Sequence, residues 1–552
     1  MIVVRRQWAT LALPLLLAAC TAGGERPEPP DDETPTETTI SVAVDASPAT
    51  YNVGSSASDA ADRAALNQVL RSFTVVGPGG TLVPDRDFGT YEKVSDDPLV
   101  VEYTIDSDAV WSDGEPIDCD DVLLDWAAHS GAFGEDLFDA EGSAGYDLVA
   151  KPECDDGDRS FTYTYRDTFA DWQSLPGPFM PAHVAERAAG VEDVVAAVTD
   201  HDVASLEAVA AFWDLGWARG VASTDLAGTP SSGPFVLSQW EQGRVVLTAN
   251  PRWWGTPPAV SRLELLAIAP EDRAQALLDG TVHVAELPPA ADVVDEVTSD
   301  DGLVVERGPS FGLAQLRFSS SGSVGTMRST FADCVPRQRA VAEQVAPLLV
   351  DAEMAQSRFY FPFQPQYEDV VTEVRDPRFD AVRIDQVRAD LQARGRLGTH
   401  VRLAFDASDP RLAGTARAII ESCGEAGFEV VDVGDAGLGG GSADVALVVD
   451  EGGPLVSRAL DGYRTDGEDN TGGYTDAEVD ALASELLATP DPLAQIELVK
   501  QLDALLWDDL ATLPLYVVPV VVAHDATVSG VSVQPSDVGV TWNADTWTAS
   551  PS

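Results

Sequence analysis

Strand-like and helix-like segments alternate along the chain from residue 40 onward. Residues 161–165, FTYTY, alternate with period two and predict a strand, whereas residues 493–510 carry apolar side chains at helical spacing. Residues 444–449 are apolar after the first position, as expected for a strand buried on both faces. This order predicts an α/β fold with mixed sheets. The 552 residues are too many for one hydrophobic core, so we expect two or three lobes.

The N-terminus has the pattern of an export signal. Arg5 and Arg6 precede a short apolar run that ends in Leu-Ala-Ala-Cys at Cys20. A membrane-spanning helix needs about 20 apolar residues, and this run is shorter. The pattern predicts that residues 1–19 are a signal peptide, cleaved before a Cys20 that becomes lipidated. The alternative is an ordinary secretory signal that contains a cysteine.

A polar segment follows the predicted cleavage site. Residues 20–39 are rich in Pro, Glu, Asp and Thr and contain almost no apolar side chain. Such a segment cannot bury enough surface to offset its ordering entropy, which predicts a disordered tether behind the lipidated cysteine. We therefore expect an extracytoplasmic body that is anchored to the outer face of the cell membrane through its lipid.

The charge of the chain excludes one class of partner. The sequence has 34 Lys and Arg against 91 Asp and Glu, a formal net charge of -57. So acidic a protein repels nucleic acid, and no nucleic-acid partner is expected. The alternative reading assigns most of this charge to a solvated surface with a biased composition.

Five cysteines are present, and Cys20 is assigned to the lipid. The other four are an even number in an oxidising compartment, which predicts disulfides. Four cysteines allow three pairings; we favour Cys119 with Cys154 and Cys334 with Cys423, because each pair falls within one predicted lobe. No C-x-x-C occurs and the six histidines are scattered, so we expect no metal site and no cofactor.

One segment matches a catalytic motif. Residues 308–312, GPSFG, fit the G-x-S-x-G elbow of hydrolases, in which a strand precedes the serine and a helix follows it. A strand is predicted at residues 303–307, but the residues after Ser310 alternate like a second strand. This disfavours a nucleophilic Ser310, and we predict that the protein is not an enzyme.

In residues 100–126, a strand runs into a W-x-D-G-x-P turn and a helix that begins with Asp121 and Val122. Further segments with motifs of the same family follow at residues 232–255, 273–285, 470–482, 508–531 and 539–547. Together and in this order, the segments resemble the extracellular solute-binding proteins of the oligopeptide, dipeptide and nickel ABC-importer family, family 5, in an actinobacterial lipoprotein form. The resemblance covers nearly all of the chain after the tether.

The resemblance implies a two-lobed periplasmic-binding-protein-like fold (type II, mixed sheets) with an additional inserted domain. It places lobe 1 at residues 40–88, 220–310 and 521–552, the inserted domain at 89–219 and lobe 2 at 311–520. The ligand would be enclosed between the lobes.

The resemblance also implies candidate ligand-binding residues. In peptide-binding members an acid just after a buried strand pairs with the ligand's α-amine, and the matching place here is the turn after residues 444–449. A first-lobe loop at residues 47–52 lines the pocket. The candidates are Ser47, Tyr51, Asn52, Phe311, Asp450, Glu451 and Gly452. An exposed acidic turn at 450–452 is the alternative.

Three functions are weighed on these grounds. The first is a monomeric, membrane-anchored substrate-binding protein that captures a peptide or similar small solute and delivers it to the permease of an ABC importer. The second is a non-transport lipoprotein of the same fold that acts in envelope glycolipid assembly or regulation. The third, an esterase that uses Ser310, ranks last.

Overall fold

The computed structural model describes residues 38–550 apart from 135, 142–144, 156–157, 223, 439–440 and 537. The predicted signal peptide, Cys20 and the tether up to residue 37 lie outside the described residues. In chain order the strands are β1 Thr39–Val44, β2 Thr74–Val76, β3 Leu82–Pro84, β4 Gly89–Asp96, β5 Leu99–Ile105, β6 Glu153–Cys154, β7 Ser160–Thr164, β8 Phe235–Glu241, β9 Arg244–Ala249, β10 Arg262–Ala267, β11 Val284–Leu287, β12 Leu303–Phe318, β13 His400–Ala404, β14 Glu429–Asp432, β15 Val445–Glu451, β16 Thr512–Asp525, β17 Val528–Ser529 and β18 Thr548–Ala549.

Helices lie between many of these strands, and a π-helical turn, Val341–Val345, directly follows the helix Arg337–Ala340. The α-helices are α1 Ala60–Leu66, α2 Cys119–His129, α3 Ala182–Ala189, α4 Val194–Thr199, α5 Val203–Leu215, α6 Arg219–Ala222, α7 Arg273–Leu278, α8 Ala291–Thr298, α9 Arg328–Ala332, α10 Arg337–Ala340, α11 Tyr367–Val374, α12 Ile384–Ala393, α13 Pro410–Ala426, α14 Val456–Leu460, α15 Ala477–Leu487 and α16 Pro492–Asp509. Within the described part of the chain, none of these helices combines the length and apolarity needed to cross a membrane.

Two long strands join the halves of a ten-stranded mixed sheet. Its order is β14-β13-β15-β12-β16-β11-β1-β10-β9-β8, so β12 and β16 lie at the centre. These two strands pair antiparallel from Leu303 opposite Asp525 to Arg317 opposite Thr512. Their register is irregular between Pro309 and Leu313, where the predicted boundary between the lobes falls. We call this irregular stretch, with its partners on β16, the hinge.

Buried apolar side chains form two large cores that follow the same division. The first contains Ile40, Trp111 and Trp547 and packs β1, β8–β10 and the inserted helices and strands. The second contains residues from Ala314 to Tyr516, together with Ala170 of the inserted domain, and packs β12–β16 with α9–α16. The fold is therefore the predicted α/β, two-lobed arrangement, with one large core in each lobe and a smaller cluster around Leu277 and Val294 on lobe 1.

The four-stranded sheet β4-β5-β7-β6 lies in the region predicted as the inserted domain. Phe161 and Tyr163 on β7 are buried, as the period-two pattern predicts. The Phe161 ring stacks on Tyr103 with centroids 4.9 Å apart. This aromatic layer packs against Phe73 of lobe 1 at 5.8 Å from Phe161, so the two regions share one core.

Two disulfides join the favoured cysteine pairs. Cys119 and Cys154 connect the start of α2 to β6, with their Cα atoms 6.2 Å apart. Cys334 and Cys423 connect the segment after α9 to α13, with a Cα separation of 5.0 Å.

The family-like turn before α2 is held by one buried carboxylate. Asp121 accepts hydrogen bonds from the Trp111 indole at 3.0 Å and from the backbone N–H of Ala182 at 2.8 Å. It also accepts the N–H of Asp118, whose own side chain caps the helix. Burial raises the pKa of Asp121 well above its usual value. The Trp and Asp of this segment thus stabilise local structure.

Asp120, one position earlier, predicts a pH dependence of stability. Burial, and then the neighbouring carboxylates of Asp118 and Glu186, raise its pKa from 3.8 to about 7. The folded state therefore binds more protons between these two values, so this residue makes stability fall as pH rises from about 4 to 7. Asp120→Asn should stabilise the protein at pH 8 by about 1 kcal/mol, after discounting for solvent screening. Urea unfolding at pH 5 and 8 measures this, with the exposed Asp108→Asn as the control that should change nothing.

Candidate functional site

Two adjoining cavities lie along β15 in lobe 2. The larger has a volume of about 650 Å³ and the smaller about 490 Å³. Both fall within the range of small-molecule sites. The residues that line both are Gly437, Ala446, Val448, Val449 and Glu451. The two cavities therefore form one crevice, which we call the β15 crevice.

The β15 crevice follows an unpaired strand edge. One edge of β15 pairs with β12 along its whole length, from Val445 to Glu451. The other edge pairs with β13 only at Val445 and Ala446. Among the described strands, none pairs with that edge from residue 447 to 450. Because backbone N–H and C=O groups need partners, this edge can accept an extended ligand as an added strand.

The β15 crevice lies at the edge of the sheet where ligands bind in open α/β folds. β13 is parallel to both β14 and β15, so the carboxyl ends of these three strands point the same way. Phe405 and Asp406, directly after β13, line the smaller cavity together with Ala436. Ligand sites of open α/β sheets lie beyond the carboxyl ends of parallel strands.

Asp450 is paired within the protein. Its Oδ1 accepts from Arg317 Nη2 at 2.7 Å, and its Oδ2 accepts from Arg317 Nε at 3.2 Å. The Gln315 amide also donates to Oδ2. We expected Asp450 to meet a ligand amine, but this two-pronged pair already neutralises its charge. A ligand amine at this point would have to compete with Arg317.

Arg317 also orders the loop on the far side of the larger cavity. Its Nη1 donates to the Asp469 carbonyl at 2.5 Å and to the Thr471 hydroxyl at 3.3 Å. The guanidinium therefore joins β12, β15 and the acidic loop that precedes α15. This fixes the shape of the cavity.

A buried ion pair forms another part of the wall. Arg358 and Asp503 are both fully buried, with Nη1 and Oδ1 2.5 Å apart. Arg358 also donates to the hydroxyl of Thr512 at 2.9 Å and to its carbonyl at 2.7 Å. Its guanidinium lies 4.7 Å from the centre of the Trp507 ring. Charge, hydrogen bonds and ring contact together fix the position of Arg358, which lines the larger cavity.

Phe311 lies at the hinge and contacts the crevice through the backbone. It is buried against Phe361 and Phe363, with ring centroids 5.2 and 5.1 Å away. Its carbonyl accepts the N–H of Gly452 at 2.9 Å. The structure therefore brings Asp450, Glu451 and Gly452 together at the crevice and places Phe311 next to them.

The other predicted residues lie elsewhere, in lobe 1. The Tyr51 hydroxyl donates to the Pro230 carbonyl at 2.6 Å, and burial raises its pKa well above the usual value. The Asn52 amide donates to the Trp213 carbonyl at 3.1 Å, and the Ser47 hydroxyl accepts from the Gly243 N–H at 2.8 Å. None of the three is among the described residues that line the crevice. Their part in binding stays a prediction.

Ser310 has a structural role at the hinge. Its hydroxyl donates to the Val518 carbonyl at 2.8 Å and accepts the N–H of Gly312 at 3.0 Å. β12 continues past it, so the strand-to-helix turn of a hydrolase elbow is not formed at this serine. Within the described ranges, no group of three or more His, Cys, Asp or Glu side chains is placed to hold a metal ion.

Sequence reasoning missed Gln315, Arg317, Arg358 and Tyr463, which also line the larger cavity. A signal for two of them was present. Leu313, Gln315 and Arg317 alternate along β12, so they share one face, and two of the three are polar. This pattern could show that a mostly buried strand has a polar face. It could not show that the carboxylate of Asp450 lies next to that face.

Comparisons with known proteins agree with this architecture. The family model of bacterial extracellular solute-binding proteins, family 5 (middle region), matches residues 87–340. An uncharacterized lipoprotein of Mycobacterium tuberculosis is 32% identical over 534 residues, which cover 92% of each chain. An oligopeptide-binding protein, OppA, of Mycobacterium bovis is 26% identical over 84% of this chain and 77% of its own length.

A solved structure matches the same fold. The periplasmic EDTA-binding protein EppA superposes with a TM-score of 0.81 at 22% identity, over 93% of this chain and 96% of EppA. At this identity the match supports the shared two-lobed fold.

Proposed function

Because this chain belongs to the family 5 bacterial extracellular solute-binding proteins, we propose that it is the solute receptor of an ABC importer and binds a peptide or similar amide-bearing solute. The observation that carries this is the unpaired edge of β15 beside two adjoining cavities of about 650 and 490 Å³. An extended ligand gains affinity from main-chain hydrogen bonds at such an edge and specificity from flanking pockets. The oligopeptide-binding relative supports this ligand class.

Binding needs no covalent step in this proposal. The lobes are joined by the continuous strands β12 and β16, whose register is irregular at the hinge. A solute that contacts both lobes binds the closed arrangement better and shifts the population toward it. The permease then recognises the closed, loaded form.

The same proposal includes a membrane anchor. Cys20 would carry the lipid, and the tether would hold a monomeric body near its permease at the outer face of the membrane. The similarity to mycobacterial lipoproteins supports the anchor. The intact mass of detergent-extracted protein tests it, since the mature chain should begin at an acylated Cys20.

A crevice variant tests the receptor. Val448 lines both cavities, and Val448→Trp should fill part of the crevice. Native mass spectrometry of the wild type should show a copurified adduct of peptide-like mass, and a tripeptide mixture should raise the melting temperature. Val448→Trp should lose both.

Val431→Trp is the matched control, because Val431 lies on β14, which β13 separates from β15. It is exposed and is not among the described residues that line the crevice. It should keep the adduct and the thermal shift. A wild type with neither signal would contradict the receptor; a copurified glycolipid in its place would favour the non-transport lipoprotein.

A further inference from the structure

A short segment of the inserted domain contacts lobe 2. In the sequence, this segment is far from the hinge. This segment, residues 168–172, follows β7 and makes several polar contacts across the lobes. The N–H of Ala170 donates to the Leu487 carbonyl at 2.8 Å, and the Gln495 amide donates to the Ala170 carbonyl at 3.1 Å. Ala170 itself packs into the core of lobe 2. The segment is thus seated between the end of α15 and the start of α16.

Side chains at both ends of the segment add to this contact. The Thr168 hydroxyl donates to the Ala488 carbonyl at 2.5 Å. The Trp172 indole donates to the Pro490 carbonyl at 3.4 Å. A cavity of about 170 Å³ between the lobes is lined by Trp172 and Gln173 on one side and by Tyr360 and Gln495 on the other.

Asp171 connects the segment to the binding crevice. The residue is 7% exposed, and its carboxylate accepts the backbone N–H of Ser457 at 3.2 Å. Ser457 lies in the first turn of α14, and the next residues, Arg458 and Ala459, line the larger cavity. A carboxylate of the inserted domain therefore holds the helix that supplies part of the lobe 2 binding wall.

We propose that residues 168–172 are an interlobe latch, and that Asp171 is a positioning residue that sets solute affinity without touching the solute. The hinge strands join the lobes in any arrangement, so the preference for closure has to come from contacts such as these. Losing them lowers the closed fraction, and apparent affinity falls by the same factor. The affinity part rests on the proposed receptor function; the latch itself does not.

The latch can be measured without any solute. Asp171→Ala removes the acceptor for a backbone N–H, and a hydrogen bond to a charged group is strong enough for about a tenfold effect. We expect amide exchange at residues 456–460 and at Ala170 to be about tenfold faster, and the radius of gyration from X-ray scattering to increase. Asp171→Asn keeps an acceptor oxygen and should lie between this variant and the wild type.

Asp167→Ala is the matched control, because Asp167 is exposed and accepts only the N–H of its neighbour, Thr168, among the hydrogen bonds described for it. It should match the wild type. Gln495→Met removes a second cross-lobe donor and should also speed exchange at Ala170, which keeps the test decisive if Asp171→Ala does not fold.

The outcomes separate the latch from the receptor function. The latch is overturned if Asp171→Ala and Gln495→Met have the same amide exchange rates and the same radius of gyration as Asp167→Ala. This holds whether or not the tripeptide mixture binds. If the latch variants respond and the tripeptide mixture binds the wild type, binding should weaken about tenfold in Asp171→Ala. If the wild type shows neither adduct nor thermal shift, the receptor function fails while the latch stands.

Discussion

Replacing both Cys334 and Cys423 by alanine should lower the free energy of unfolding by about 4.5 kcal/mol. Their disulfide closes a loop with a sequence separation of 89 residues inside lobe 2. Without it, the unfolded chain regains the conformational freedom that the closed loop denies it, and this gain grows with the logarithm of loop length. Urea unfolding followed by tryptophan fluorescence measures the shift of the midpoint.

The second disulfide provides the comparison. Cys119 and Cys154 are separated by 35 residues, so the same relation predicts a loss of about 4 kcal/mol for their double alanine variant. The two losses should be similar despite the different lobes, because they depend on loop length rather than on local contacts. A loss below about 1 kcal/mol for the Cys334 and Cys423 variant would contradict this account.

The sequence predicts individual strands, but it does not predict that two of them form one continuous strand. Residues 303–307 and those after Ser310 each read as strands, and the structure makes them one strand, β12. Two glycines and Pro309 interrupt the apolar pattern there, so local periodicity indicates a break. β12 continues because its partner β16 continues and because Ser310 forms a hydrogen bond to β16 across the irregular register. Both are tertiary contacts, which local sequence periodicity does not reveal.

The candidate site shows the same limit. The buried strand at residues 444–449 could be predicted from order alone, but the predicted acidic turn after it was wrong. β15 continues to Glu451, so Asp450 and Glu451 pair with β12 as part of the strand. The partner of Asp450 could not be predicted. Arg317 lies 133 positions away in the sequence and comes next to Asp450 only because β12 pairs with β15. A sequence pattern gives the face that a side chain occupies; the partner on that face depends on which strands pair.

Asp503→Asn should lower the free energy of unfolding by about 3–5 kcal/mol, because it leaves the Arg358 guanidinium charged and uncompensated in the core. Both side chains are fully buried, and the Arg358 guanidinium lies 4.7 Å from the centre of the Trp507 ring. Arg358 also lines the larger cavity, so the variant should lose the copurified adduct as well. Urea unfolding and native mass spectrometry on one preparation measure both effects.

Two controls separate the buried charge from lost packing. Arg339 and Glu421 are an exposed pair at 2.8 Å, so Glu421→Gln should leave the urea midpoint unchanged. Replacing both partners, as in Arg358→Met with Asp503→Leu, removes the uncompensated charge and should recover much of the loss. If the double variant were as unstable as Asp503→Asn, the hydrogen bonds of Arg358 to Thr512 and Leu506, rather than the charge, would govern this core.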